Sequence, residues 1–71
     1  MSDFHKEGAI VFWQWYGKKL RGTVQKVYCR PIIKNIKEKE IKRNARKQNP
    51  AYYIKSDNGN HVLKLHSELI S

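Results

Sequence analysis

The chain has 71 residues, a net charge of +9 and a single cysteine, and these properties exclude several classes of protein. A chain this short forms one domain, which buries only about 60% of the surface of its unfolded form. One cysteine excludes an internal disulfide framework, and no apolar run approaches the roughly 20 residues of a membrane-spanning helix. The start of the chain lacks an apolar core segment, so no signal peptide is expected and the predicted location is the cytoplasm.

The positive charge is concentrated in the middle of the chain. Residues 18–47 carry twelve basic and two acidic side chains, a net charge of +10, whereas all other residues together carry −1. This asymmetry indicates an anionic partner more strongly than the total charge does.

The first half is predicted to contain two strands. Residues 1–8 are expected to form a polar lead-in, and residues 9–70 the folded domain. Ala9–Tyr16 is β-branched and aromatic and lies between two glycines, which is typical of a strand. Both of its faces carry aromatic rings, so alternation alone does not identify the inner face. After a turn at residues 17–19, Leu20–Cys29 is predicted to be the second strand.

The spacing of two valines predicts a defect in the second strand. Val24 and Val27 differ in parity, so they would point to opposite faces of a regular strand. A β-bulge near Gln25 and Lys26 would return both valines to one face.

Residues 31–49 allow two interpretations. Their Lys, Glu, Arg and Ala content favours a helix over Lys34–Gln48, with Glu38 and Lys42 one turn apart. The isoleucines, however, do not form a clean helical stripe. A long hairpin that contains a strand near Lys39–Asn44 is therefore the competing interpretation.

The last third predicts a hairpin. Asn58-Gly59 lies between the β-prone segments Ala51–Ser56 and His61–Leu65. Asn and Gly both tolerate the positive φ that a tight two-residue turn needs. Pro50 cannot donate to a ladder, so it marks the start of the first of these strands.

The chain is predicted to close with a helical turn over residues 66–69. Ser67 is expected to cap this turn, and Leu69 to fold onto the core. Short strands joined by glycine-containing turns predict an all-β fold, a five-stranded SH3-like barrel. Closure of the barrel would also remove exposed strand edges.

Five segments recur together in one known family. They are V-F-W-Q-W at residues 11–15, G-T-V at 22–24, the basic stretch Ile36–Arg43, N-P-A-Y at 49–52 and V-L-K-L-H-S-E-L at 62–69. From Gly8 to Leu69, the chain thus resembles a family of small Tudor-like domains named after a hypervirulence-associated protein. One departure is Lys37-Glu38-Lys39-Glu40, where similar sequences tend to have a glycine, so the position of the turn there is not defined.

The resemblance has consequences for fold and function. It implies an SH3-like barrel, a hairpin over residues 31–49, and inward-pointing Trp13, Trp15 and Tyr52. It implies no defined activity, because function is a property of sites and not of the fold.

The main functional hypothesis is a non-enzymatic module that binds DNA or RNA, with no cofactor. Lys and Arg along a hairpin can neutralise phosphates and release counterions, which gives binding that weakens steeply as salt rises. The histidines and Cys29 lack metal-ligand spacing, so no metal site is expected. The residues assigned to phosphate contacts are Lys18, Lys19, Arg21, Lys37, Lys39, Lys42, Arg43, Arg46 and Lys47.

The alternative hypothesis is a Tudor-like module that binds a peptide or a methylated side chain. Exposed rings would make this contact through cation–π attraction, and the same rings could stack on bases. Tyr16, beside the first turn, and Tyr53, opposite in parity to Tyr52, are predicted to be the exposed rings. The basic segment would then be a solvated loop, and the sequence leaves the oligomeric state open.

Overall fold

A computed structural model describes residues 4–70, which form six β-strands and one short 3₁₀ turn. The strands are β1 (Ile10–Trp15), β2 (Lys18–Tyr28), β3 (Ile32–Ile36), β4 (Lys39–Arg43), β5 (Ala51–Ser56) and β6 (His61–Leu65), and the 3₁₀ turn covers His66–Glu68. One antiparallel sheet has the order β1-β2-β5-β6, and β3 pairs with β4 as a separate hairpin. The predicted all-β, SH3-like barrel is confirmed, with six strands where five were expected. No helix in the described part of the chain is long and apolar enough to cross a membrane.

Residues 31–49 form a hairpin, so the helical interpretation is wrong. The register pairs Ile32 with Arg43 and Ile36 with Lys39, which places Ile32, Ile36 and Ile41 on one face. All three are half-buried against the core residues of β5 and β6. Burial of this face outweighs the local helix propensity, which is worth only tenths of a kcal/mol per residue.

The main sheet is packed on both faces. One face carries a buried cluster of Val11, Trp13, Val24, Tyr52 and Ile54. The other face carries a second buried cluster of Ala45, Ala51 and Leu63, covered by the β3–β4 hairpin. The strand β5 contributes to both clusters, which explains why consecutive residues at its start are buried.

The predicted bulge in β2 is confirmed. The pairing of β2 with β5 shifts register between Val24 and Lys26. As a result both Val24 and Val27 contact the first core cluster, despite their odd spacing.

Gly22 allows close packing at the centre of the sheet. A Cβ atom there would lie 2.5 Å from Ile54 Cγ2 and 2.8 Å from the backbone oxygen of Lys55. A side chain at position 22 would therefore force β2 away from β5.

Two of the hairpins turn through residue pairs with positive φ. Tyr16 and Gly17 have φ of 50° and 75° between β1 and β2. Lys37 and Glu38 have φ of 50° and 65° between β3 and β4. Such pairs match the twist of a two-residue hairpin, but three of these four residues carry a Cβ that disfavours the conformation.

The β5–β6 hairpin does not have the predicted two-residue turn. Only Gly59 has a positive φ there, at 91°. Its N–H donates to the Ser56 oxygen at 2.9 Å, and the Ser56 N–H donates to the Asn60 oxygen at 2.7 Å. This is the pattern of a three-residue loop with a glycine bulge, in which one left-handed residue is sufficient.

The C-terminal segment returns to β1. The Ile70 N–H donates to the Phe12 oxygen at 2.8 Å, and Leu69 packs on the first core cluster as predicted. The expected cap at Ser67 is wrong, because Glu68 Oε1 accepts from the Leu65 N–H at 2.8 Å. The Ser67 N–H donates instead to Asn49 Oδ1, at 2.9 Å.

The described part of the lead-in contacts the barrel. The Gly8 N–H donates to the Val24 oxygen at 2.8 Å, and the His5 N–H donates to the Tyr52 hydroxyl at 3.1 Å. Tyr52 is fully buried, and its hydroxyl also contacts His66 Nδ1 at 3.0 Å. The buried hydroxyl is thus satisfied from two sides.

Candidate nucleic-acid interface

A cleft of about 460 Å³ opens between the tip of the β1–β2 hairpin, the β3–β4 hairpin and β6. The β1–β2 tip contributes Trp15 and Leu20 to its walls. The β5–β6 loop adds two asparagines, Asn58 and Asn60. The remaining walls come mainly from Ile36, Lys37, Lys39, Ile41, Arg43, His61, Val62 and Lys64.

Trp15 forms part of this cleft and not of the core, so its predicted burial is wrong. It follows Val11 and Trp13 on the inner face of β1, but it is 56% exposed whereas Trp13 is 1% exposed. The reason is the length of the neighbouring strands. The pairing of β2 with β5 begins only at Gly22, so the β1–β2 tip projects beyond the rest of the sheet.

Four cationic side chains line the cleft, and no carboxylate does. They are Lys37, Lys39, Arg43 and Lys64. Arg43 is held by Glu68, with 3.1 Å between Nε and Oε1. Within residues 4–70, no ion pair neutralises the three lysines. The three lysines are thus cationic groups without an ionic partner at the walls of the cleft, an arrangement that favours anionic ligands.

The structure separates the nine predicted phosphate contacts into two groups. Lys37, Lys39 and Arg43 line the cleft, and Lys18 does not line it but pairs with Trp15, which does. The other five lie elsewhere on the surface and are Lys19, Arg21, Lys42, Arg46 and Lys47.

Several of the residues outside the cleft have partners of their own. Lys19 Nζ lies 4.6 Å from the centroid of the Phe12 ring. Arg21 Nε contacts Asp57 Oδ2 at 2.6 Å, so its charge is neutralised. Lys42 pairs with the exposed Ile33 on the outer face of the β3–β4 hairpin.

The two predicted aromatic contacts have different environments. Tyr16 is 86% exposed, as expected, and its ring packs edge-to-face with that of Trp15, with ring centroids 4.6 Å apart. Tyr53 is half-buried, not exposed as predicted, and its ring stacks on His61 with centroids 5.0 Å apart. Lys34 Nζ lies 4.8 Å above the Tyr53 ring. The His61 ring and the Lys34 ammonium group thus already cover part of the Tyr53 ring.

The same lysine approaches a second ring. Lys34 Nζ lies 5.4 Å from the centroid of Tyr28. A hydrogen bond with Tyr28 raises the pKa of Lys34 above its ordinary value. The ammonium group therefore remains charged beside both tyrosines, and they hold a cation supplied by the chain itself.

Sequence reasoning missed Lys64. The region around the last hairpin has balanced charges, with Lys55 and Lys64 against Asp57 and Glu68. In the fold, however, the two carboxylates pair with Arg21 and Arg43. Lys64 is left without an ionic partner in the described chain and faces the cleft.

The six-stranded barrel places this protein in the class of small SH3-like domains, and its open cleft is lined by cationic side chains. The chain belongs to the TUDOR domain family of hypervirulence associated proteins, whose family model matches residues 8–69. The resemblance inferred from its motifs is thereby confirmed. Small Tudor-like barrels are typically non-enzymatic binding modules. Comparisons with curated proteins and with solved structures gave no significant match.

Proposed function

We propose that this protein binds nucleic acid through the cleft, with the lysines contacting phosphates. One observation carries the proposal, namely that four cationic side chains from two separate hairpins meet in a single concavity without a carboxylate. Each lysine that neutralises a phosphate releases a condensed counterion, and this release supplies most of the affinity in nonspecific binding.

The cations of the cleft suit a chain of phosphates in variable positions better than a small anion held in one fixed geometry. Three of the four are lysines, whose compact charge sits on a flexible stem and tolerates variable positions of the phosphate. Arg43, the group suited to two-point recognition, is already engaged with Glu68. We therefore expect little preference for sequence.

A matched pair of double variants tests the proposal. Lys37→Ala with Lys39→Ala removes two charges from the cleft, whereas Lys19→Ala with Lys42→Ala removes two charges from outer faces. Anisotropy of a labelled oligonucleotide at about 50 mM salt, where phosphate contacts are strong, should show weakened binding only for the first pair. The proposal fails if the wild-type protein does not bind, or if the second pair weakens binding as much as the first.

Peptide binding is the second candidate, and the free edge of β6 favours it. Within residues 4–70, β6 pairs with β5 on one side only, and Val62–Lys64 lies at the cleft. An extended peptide could add to such an edge through main-chain hydrogen bonds. The cationic walls would select an acidic peptide, so a titration with an oligoglutamate peptide discriminates the two candidates. Binding of this peptide in the absence of any binding to oligonucleotides would establish the second candidate.

Recognition of a methylated side chain has a specific obstacle in this structure. The rings of Tyr28 and Tyr53 already face the Lys34 ammonium group. A methylated lysine from a partner would have to displace Lys34 from these rings. If a Lys34→Ala variant bound a trimethyl-lysine peptide that the wild-type protein does not bind, this competition would be demonstrated.

A further inference from the structure

We infer that the cleft takes single-stranded nucleic acid, with one base stacked on Trp15. This inference deepens the proposed function and rests on it. It adds a structural form of the ligand, single-stranded and not duplex, and it assigns a contact residue that the sequence placed in the core.

The first argument is the placement of Trp15. Trp15 is 56% exposed, and its side chain lines a concave site. Base–aromatic stacking contributes substantially to single-strand binding and tolerates any sequence, because every base has a π-face. In a duplex the base faces are already stacked on one another, so only a single strand offers a free face to the ring.

The second argument is the combination of groups around the ring. Tyr16 contacts the Trp15 ring edge-to-face, at an interplanar angle of 72°, which restrains its orientation. Lys37 and Lys39, from the β3–β4 hairpin, line the same cleft and supply charge for the phosphates beside a stacked base. An aromatic platform with adjacent cations is the arrangement that single-strand binding proteins use.

The third argument is size. The cleft volume of about 460 Å³ lies within the range of roughly 300–1,000 Å³ that small-ligand sites have. A cleft of this volume accommodates a nucleotide-sized segment. Apolar side chains at Leu20, Ile36, Ile41 and Val62 give the base a surface to bury as it enters.

The test compares three labelled probes of equal length: oligo-dT, oligo-U and a blunt DNA duplex. Trp15→Ala should weaken binding to the single strands about fivefold or more, which is the loss expected for one stacked base. Binding to the duplex should be unchanged. Trp15→Phe keeps a ring and should retain most of the single-strand affinity. Ile33→Ala is the control, because Ile33 is exposed to a similar extent as Trp15, at 53%, but lies on the outer face of the β3–β4 hairpin and does not line the cleft.

Intrinsic fluorescence supplies a readout that does not depend on affinity. The chain has two tryptophans, and Trp13 is buried, so a base that stacks on Trp15 should quench the exposed component of the emission. This quenching should disappear in Trp15→Phe. Circular dichroism of both variants checks that the barrel is folded.

Each outcome has a definite meaning. Stronger binding to oligo-dT and oligo-U than to the duplex, lost in Trp15→Ala, supports the inference, and preference for one of the two single strands identifies the ligand as DNA or RNA. Equal binding to all three probes, with Trp15→Ala unaffected, overturns the inference but leaves the proposed function intact. The absence of binding to any probe overturns both.

Discussion

Removal of the three lysines without ionic partners should abolish most of the salt dependence of binding. The variant combines Lys37→Ala, Lys39→Ala and Lys64→Ala. Single-strand binding loses about 0.7 units of log affinity per unit of log salt for each neutralised phosphate, so three contacts predict a slope of about −2.1. A fourth contact from Arg43 would extend the slope to about −2.8. Between about 50 and 200 mM salt, these slopes correspond to a loss of affinity of about 20- to 50-fold.

The assay is a series of anisotropy titrations of a labelled oligo-dT at increasing salt. A matched variant, with Lys19, Lys42 and Lys47 changed to alanine, removes the same charge from outside the cleft. The cleft variant should have a slope between zero and about −0.7, where Arg43 alone remains. The matched variant should keep the wild-type slope. A similar loss of slope in both variants would refute the reasoning, because it would show that phosphates contact cations all over the surface.

Measurements of stability test three features of the fold. Glu38→Gly should raise the free energy of unfolding in urea by about 1 kcal/mol, because glycine adopts the left-handed turn without a Cβ clash; a lowered unfolding midpoint would contradict this. Gly22→Ala should lower it by about 1–3 kcal/mol, because the new Cβ meets the Lys55 carbonyl; an unchanged melting temperature would show that the sheet adapts freely. Burial, and then the charge of His66, lower the pKa of His5 below 6.5, so the folded state favours the neutral ring. The unfolded state takes up the proton more readily, so the free energy of unfolding is highest above pH 6.5 and should decrease as the pH falls through the folded-state pKa. The decrease should be smaller in His5→Gln; equal pH profiles of the two proteins would argue against this role.

The β-bulge and the last hairpin were predictable because they depend on neighbouring residues. The parity change between Val24 and Val27 indicates an extra residue when both valines face the same core cluster, as they do here. The glycine at position 59 marks the hairpin because only glycine takes its left-handed conformation at little cost. The type of turn was not predictable, since a two-residue and a three-residue loop both accept Asn-Gly.

The hairpin over residues 31–49 shows where local information is insufficient. Its composition favours a helix, and the family resemblance was needed to favour strands. The decisive term is the burial of Ile32, Ile36 and Ile41 against β5 and β6. That term does not exist until the main sheet has formed, so no property of the segment by itself reveals it.

The sequence by itself determined that this protein is a small all-β domain of one family with its positive charge in the middle of the chain. These properties follow from composition and from patterns among near neighbours. Only the tertiary structure decided which charges remain free, because Arg21 and Arg43 take the carboxylates of Asp57 and Glu68 from far along the chain. It also decided that Trp15 faces a cleft, because the exposure of that ring depends on where the neighbouring strand pairing begins. A binding site composed of side chains from separate hairpins is a property of the assembled barrel, and the linear order of residues does not contain its geometry.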